Sequence, residues 1–485
     1  MRLRLFAWLV LGLALPTSVN ALGRPENVLV VQNGNSAVSQ RIAAYYADRR
    51  SIPPGNLATV HTADSSLSTT NELIAFADFQ TLIQQPIVQF MASAGLSDQI
   101  QYIVLTKGIP HRLTSDPGAG SSGGRSVDSM LAATNLVDPF PLALETEEGE
   151  FAGELFVSRY WRAPEPFRHS SYGGYLVTRL DGYTEADAQA VVDRGSALES
   201  PPYYVLLDAD PAKGTGDPAL QPKSILGPDG EVDPDYELTY GDFNAEMVRA
   251  WQIVGGRPHL STSFDQTTAF VLSSSPLSCY VSWGSNDAHF SASAYTAEPF
   301  AARGIAETAV SSSGRTFFPV STGQSVITDL IAQRASGASG VSGVKGYVTE
   351  PFLDAIACPS VLVDAYTSGR NLAESFYAAS RFVGWKGVVV GDPLCSLSGY
   401  HAASPADART LPDGSLVSID NLVVSAGTDA FGDRFYAQDQ ARVSGIQVRL
   451  GTEFAGVVEG SVVSVRGLLA TIDGERAITN ASVIY

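Results

Sequence analysis

The sequence predicts an α/β fold, a mostly parallel sheet with helices on both faces, followed by a small all-β barrel. Three observations predict it. Strand and helix signals alternate from residue 27 onward. Several of the strands are continuous apolar runs, as expected of strands covered on both faces. Beyond residue 408 the texture changes to short alternating strands divided by Gly and Asp. The implied boundaries are 25–398 for the α/β region, 399–408 for a linker and 409–485 for the barrel.

The first elements set the rhythm. "NVLVVQN" (Asn27–Asn33) is a short apolar strand. Ser36 can cap the helix that follows, in which Ile42, Tyr45 and Tyr46 fall near helical spacing. Pro53 and Pro54 end that unit, and "NLATVH" is a second strand. A helical region runs to about Ala94, and "QYIVLTKGIP" is a third strand ending in Lys107 and Gly108. This β-α-β-α-β order implies a parallel sheet.

The pattern continues. "ELFVSRYW", "GGYLVTRLDG" and "YYVLLDAD" read as strands. Thr184 and Asp187 form a capping arrangement at the start of a helix over Glu185–Leu198. Residues 211–235 are rich in Gly, Pro and Asp and read as a surface insertion. "GDFNAEMVRAWQIVGG" is a helix with glycines past its end. Cys279–Ser285 is a strand, "TFFPVSTGQS" a strand running into a turn, and "VITDLIAQRA" a helix. "GVKGYVTEP" (strand), "NLAESFYAASRFVG" (helix) and "WKGVVVGDPL" (a strand stopped by Gly391, Asp392 and Pro393) complete the region. The barrel is read from "LVSIDNLVVSAG", "FYAQD", "GIQVRLG", "VVSVRGLLATIDGERAI" and "ASVIY".

Composition narrows the function. The chain has 485 residues and a formal charge of −19, from 31 basic and 50 acidic groups. A phosphate backbone needs a basic surface, so nucleic acid is not expected as a partner. Arg2 and Arg4 precede the apolar stretch Leu5–Leu15, and Val19-Asn20-Ala21 fits a cleavage site, so residues 1–21 read as a signal peptide. No later stretch reaches the roughly 18 apolar residues of a membrane span. The mature chain is therefore expected outside the cytoplasm, periplasmic or extracellular. Cys279, Cys358 and Cys395 are an odd three, two of which can pair in an oxidising compartment. There is no CxxC or His/Cys cluster, no GxxxxGK[ST] and no strand-loop-helix GxGxxG. No metal site and no cofactor are expected; "DPGAGSSGGRS" reads as a flexible excursion.

In open parallel sheets, ligands gather beyond the carboxyl ends of the strands. The polar residues there are Lys107, Arg179, Asp181, Asp208, Asp210, Asp287, His289, Glu350 and Asp392. Each is also a common turn or cap residue. Asp287 and His289 lie two apart in "CYVSWGSNDAHF", so on extended chain they face one side. That spacing permits joint metal ligation, a mutual hydrogen bond, or merely a solvated loop pair. With Ser321, they are the candidate catalytic set. Trp283, Asn286, Lys107, Glu350 and Asp392 are the candidate binding residues. Nothing matches GxSxG.

The stretches "NVLVVQNGNSAVSQRIAAYYADRRSIPPGNL", "YIVLTKGIPHRL", "YLVTRLDGYTEADA", "GVKGYVTEPFLDAIACP" and "GWKGVVVGDPL" resemble an uncharacterised family of exported bacterial proteins, associated with genomes that carry the exosortase surface-sorting system. More distantly, the chain resembles the gingipain-type cysteine peptidases of the caspase-like clan. That resemblance implies a catalytic His in "YVSWGS", where Trp283 stands, and a catalytic Cys in "PVSTGQS", where Ser321 stands. It also implies the closing Gly391-Asp392-Pro393. The resemblance thus implies a kept frame with both reactive groups missing. An indole N–H cannot accept a proton, and a serine hydroxyl lacks the ready ionisation of a thiol.

The C-terminal segments resemble the OB-like barrels of secreted enzymes, which bind oligonucleotides or oligosaccharides on one face. From Asp407 onward there are six Arg, no Lys and ten acidic residues, which disfavours nucleic acid. Phe431, Phe435 and Tyr436 are either core or a stacking platform for a glycan or peptide. The expected function is binding or surface assembly, with an envelope protein, peptide or glycan as partner, on a degenerate peptidase-like domain. The alternative is a hydrolase reorganised around Asp287, His289 and Ser321.

Overall fold

The computed structural model describes residues 23–484 apart from 146–149, 198, 200, 215–239, 333–338 and 451–455. The signal segment and most of the 211–235 insertion lie outside the described residues. Ten strands form the main sheet: β1 (Val28–Asn33), β2 (Leu57–Val60), β3 (Tyr102–Thr106), β4 (Leu176–Leu180), β5 (Tyr203–Asp208), β6 (Leu260–Asp265), β7 (Leu277–Ser282), β8 (Phe300–Thr308), β9 (Gly343–Tyr347) and β10 (Gly387–Gly391). Their order across the sheet is β6-β5-β7-β8-β9-β10-β4-β3-β1-β2. The ladders within β6-β5-β7-β8-β9 and within β4-β3-β1-β2 are parallel. β9 and β10 pair antiparallel, and β10 meets β4 through one bridge, Val390–Arg179.

Every residue of β3, β4, β7 and β9 is buried. A strand buried at all positions has both faces covered, so the apolar runs meant what they suggested. The flanking helices are α1 (Ala37–Arg50), α2 (Gln85–Ala94), α3 (Val127–Ala132), α4 (Glu185–Ser196), α5 (Tyr240–Val254), α6 (Ile327–Ala332), α7 (Pro359–Thr367) and α8 (Leu372–Ala378). Ser36 caps α1 by accepting from Ser39 N, and Thr184 with Asp187 forms the capping box of α4.

One expectation needs correction. "TFFPVSTGQS" contains no strand. The strand beside β7 is instead β8, one segment earlier. Arg303 and Gly304 interrupt its apolar pattern, and Glu307 is a buried carboxylate inside it. Periodicity alone therefore does not reveal it. The cysteines are all free and all buried, with none paired.

The C-terminal module is a closed barrel of β11 (Leu416–Ala426), β12 (Arg434–Gln438), β13 (Gly445–Arg449), β14 (Val462–Ile472) and β15 (Glu475–Ile484). Its order is β11-β12-β13-β15-β14, with β14 pairing back onto β11. Closure removes the open edges that an isolated sheet of this size would expose. Phe435 is in its core, whereas Phe431 is 41% exposed and meets Tyr436 edge-on at 5.3 Å. Leu416 and Leu468 reach into the main core and dock the barrel on the body.

The carboxyl-terminal edge is tied together by buried charge. Arg179 donates to Asp128 (2.9 and 2.8 Å) and Asp181 (3.0 Å), and Lys107 donates to Asp181 (3.1 Å) and Gly182 O (2.7 Å). The loop after β8 crosses to the same edge. Arg112 donates to Arg315 O, while Thr316 and Phe317 N donate to Glu72. Phe317 lies beneath Arg179 and Phe318 beneath Lys107, at 5.4 and 5.5 Å.

Removing one partner from a buried ion pair leaves a charge without compensation. Asp128→Ala is expected to destabilise the fold by roughly 3–5 kcal/mol, read as a lowered urea midpoint. A loss below about 1 kcal/mol, the value of a surface pair, would show that the network carries little.

Candidate functional site

β5 and β7 are neighbours, and their ends deliver two acidic turns side by side. Asp208 ends β5 and Asp210 follows it; Ser282 ends β7, and Trp283 through Phe290 form the loop. Gly284 turns the chain at φ +50°, and a Cβ there would stand 2.7 Å from Val310 Cγ2. Only glycine suits both conditions.

Trp283 is fully buried. Its Nε1 donates to Asn244 Oδ1 at 2.8 Å, and its ring meets Phe243 edge-on at 5.0 Å. Asn244, on α5, also donates from Nδ2 to Asp210 O (2.8 Å) and to Gly214 O. One amide thus joins the β7 loop to the β5 turn. Asn286 donates to Ala309 O (2.7 Å) and accepts from Gln324 (3.1 Å), whose own carbonyl accepts from Ser312 Oγ (2.9 Å). Ser285 and Ser325 exchange hydrogen bonds through backbone and hydroxyl.

Ligand atoms of Asp210, Asp287 and His289 all lie within 4.8 Å of one another. Asp287 Oδ1 accepts from His289 N at 2.6 Å, and Asp210 Oδ2 accepts from Ala288 N at 2.9 Å. Burial pushes the Asp287 carboxyl up, opposed by the His289 amide, with Asp210 adding repulsion. Asp208 is pushed up to about 7, first by burial and then by neighbouring carboxylates including Asp287, while Val271 N opposes. Two carboxylates and an imidazole form an O,O,N donor set of the kind that suits a divalent cation. The set contains no nucleophile.

The remaining candidates do not join this group. Ser321 is exposed, and no hydrogen bond links it to His289 or Asp287. The loop after β8 meets the Trp283 loop through the Asn286–Ala309 hydrogen bond. Lys107 belongs to the buried ion network. Glu350 is exposed, and its carbonyl accepts from Lys386 Nζ. Asp392 lies at the opposite edge, paired with Arg50 and accepting from Tyr46 at 2.8 Å. It thus serves the ends of α1 and β10 and lies away from the strand-end loop.

Asn244 and Glu298 escaped the reading of the sequence. Nothing in "GDFNAEMV" distinguishes Asn244 from any helical polar residue. Glu298 is fully buried beside this region and accepts from Ser273 N at 3.0 Å. Burial pushes it up to about 8, with Asp208 adding repulsion.

Asn244→Ala should cost roughly 2–4 kcal/mol, because the indole N–H and the Asp210 carbonyl lose their partner together. Equilibrium unfolding followed by tryptophan fluorescence measures it, and a neutral result would remove Asn244 from its joining role. Glu298 makes a second prediction. Its raised carboxyl favours the folded state fully below pH about 4.5, and that contribution is lost as pH rises through about 8. Glu298→Gln should therefore lose less stability than the parent between pH 5 and 9, by about 1–3 kcal/mol. Parallel denaturation curves at every pH would contradict it.

No family model and no curated protein matches the chain. Among solved structures, it is similar to the Arg-specific cysteine proteinase gingipain R, with a TM-score of 0.42 and 9% identity over 95% of this chain and 99% of that one. It is similar to the complex of RgpB pro- and mature domains from Porphyromonas gingivalis, with a TM-score of 0.42 and 9% identity over 93% and 100%. A structure described as a protease gives a TM-score of 0.44 and 10% identity over 95% and 96%.

Proposed function

We propose that this chain is an exported binding or surface-assembly protein whose peptidase-like frame runs no cysteine–histidine dyad. One observation carries the reading. All three thiols are buried and free, and burial is the first cause raising the pKa of each, Cys395 to about 11 and Cys279 and Cys358 further. No imidazole is among the groups acting on any of them. Burial holds each thiol protonated, helped at Cys358 by the Glu246 carboxylate to which it donates, and the thiolate is the nucleophile. Trp283, where the resemblance expects the base, is committed to Asn244.

Export is supported by the leader-like segment Arg2–Ala21. No helix among the described residues is long and apolar enough to cross a membrane. A protein, peptide or glycan of the envelope is the partner class. The closed five-stranded barrel supports the OB-like reading. Its exposed Phe431–Tyr436 pair, with Arg434 over Phe431 at 5.6 Å, offers a face suited to a sugar or peptide. A hydrolase at the strand-end loop is the second reading. The convergence of Asp210, Asp287 and His289 favours it, and the distance of Ser321 from any bond to them disfavours it.

The test is an alkylating peptidyl probe on the native chain, with proteolysis of a denatured protein substrate measured alongside. No cysteine should label until the chain is unfolded, when all three should. Labelling of one native cysteine together with proteolysis would overturn the binding reading. Turnover without labelling, abolished by Asp287→Ala with His289→Ala, would favour the second.

A further inference from the structure

A cavity of about 400 Å³ lies at the other edge of the sheet, where the body meets the barrel. Its wall includes Arg50, Arg303, Asn371, Glu374, Ser396 and Arg466. The exposed Ser51 stands at its rim. Concentrated guanidinium is unusual in a chain of charge −19.

The arginines are not equivalent. Arg50 is committed to Asp392. Arg303 donates only to neutral acceptors: Nε to Ala197 O (2.6 Å), Nη1 to Ser396 O (2.7 Å) and Ser398 Oγ (2.6 Å). Arg466 donates from Nη1 to Ser396 Oγ at 2.5 Å, and its Nε is buried with no hydrogen-bond partner. Among the described residues, neither Arg303 nor Arg466 makes an ion pair. Two guanidiniums therefore converge on one serine, one from β8 and the other from β14.

The surrounding groups do not neutralise them. Burial, then the charge of Arg303, pulls the Arg466 guanidinium down; Tyr203 and Asp420 act weakly the other way, and Asp420 is more than half exposed. Glu374 is the one carboxylate in the wall, and it is occupied by Phe167 N (3.1 Å) and Tyr102 OH (3.4 Å). Like charges that share a partly dry wall repel. An anion between them removes that cost and offers the paired oxygens that a guanidinium fork matches.

We propose that this cavity is an oxyanion site, in which Arg303 of the body and Arg466 of the barrel hold one carboxylate or phosphate group between them. The volume suits a small molecule or chain end that carries the group. The site bridges the two modules, so its occupant also fastens the barrel to the body. The inference rests on the binding reading in supplying that reading with a ligand class. The two fail separately: anion binding is read at Arg303 and Arg466 by calorimetry, whereas the dyad reading falls only on native labelling together with proteolysis.

The full chain is titrated with inorganic phosphate, phenyl phosphate and benzoate, with benzamide as the uncharged control, at ionic strength held constant with potassium chloride. Saturable binding by calorimetry and a rise in Tm of about 2–4 °C are expected with an anion and absent with benzamide. A larger response to phenyl phosphate names a phosphate ligand, and a larger response to benzoate names a carboxylate. Arg303→Gln and Arg466→Gln should each abolish the response, while Arg41→Gln, paired with Glu185 away from the cavity, should keep it. Should either cavity variant fail to fold, dicarbonyl modification of the parent chain gives the answer, mapped by mass spectrometry. The anion should slow modification of Arg303 and Arg466 about tenfold and leave Arg41 unchanged. No saturable binding, an undiminished response in folded variants, or no selective protection would each overturn the proposal.

Discussion

A guanidinium sealed inside a ten-stranded sheet must be neutralised, and the carboxyl-terminal edge is arranged around that need. Arg179 is fully buried on the fourth strand. Desolvation opposes its charge, and Asp128 and Asp181 more than restore it. Asp181 in turn holds Lys107, so four charges from the ends of two strands and one helix form a balanced set. Aromatic rings from the loop after β8 close over both cations. That loop comes from the other half of the sheet, so the network fixes how the halves meet. Isolated burial of any of these groups costs several kcal/mol, roughly what a small domain has in total.

The parts of the fold legible in the sequence were those whose physics is local. Apolar runs predicted strands covered on both faces, and β3, β4 and β9 are such strands. Ser36 and Thr184–Asp187 predicted helix starts, because a cap is a short-range hydrogen bond. β8 was not legible, since Glu307 reads as surface. In the structure its Oε1 accepts from Tyr347 OH at 2.8 Å, and Lys345 lies opposite it in register on β9. Burial pushes Glu307 up to about 7 and pulls Lys345 down to about 8, so the pair's polarity is contained by its neighbours in space. Missing β8 placed the strand beside β7 one segment too late, in "TFFPVSTGQS". The site was legible only in part: the Asp287–His289 spacing pointed to its loop, and Asp210 was one strand-end acid among several. Asn244 helps to join them, and although its helix was legible, nothing local marks that residue for the role.

The two edges of the sheet divide the chemistry between them. Around the ends of β5 and β7, Asp208, Asp287 and Glu298 gather with Asp210, and Asp208, Asp287 and Glu298 are raised by burial and by neighbouring carboxylates. At the opposite edge, Arg50, Arg303 and Arg466 gather where the barrel docks. Net charge says nothing of this separation. A chain of −19 repels anions at long range, yet a recessed cluster of guanidiniums acts within a Debye length of about 8–10 Å. The acidic surface and the cationic cavity therefore do not contradict each other; the first sets what approaches, and the second sets what is retained.

The strand-end loop is built around a residue that cannot act as a base. A general base must present a lone pair to solvent or substrate. Trp283 has only an N–H, and it spends that donor on Asn244 inside the protein. The geometry around it follows from this choice: Phe243 covers the ring and Asn244 extends to the Asp210 and Gly214 carbonyls. Through Asn244, a side chain that cannot move a proton thus helps to hold the Asp210 turn beside the loop. At this position Trp283 supplies a donor and a packed ring and offers no acceptor for a proton.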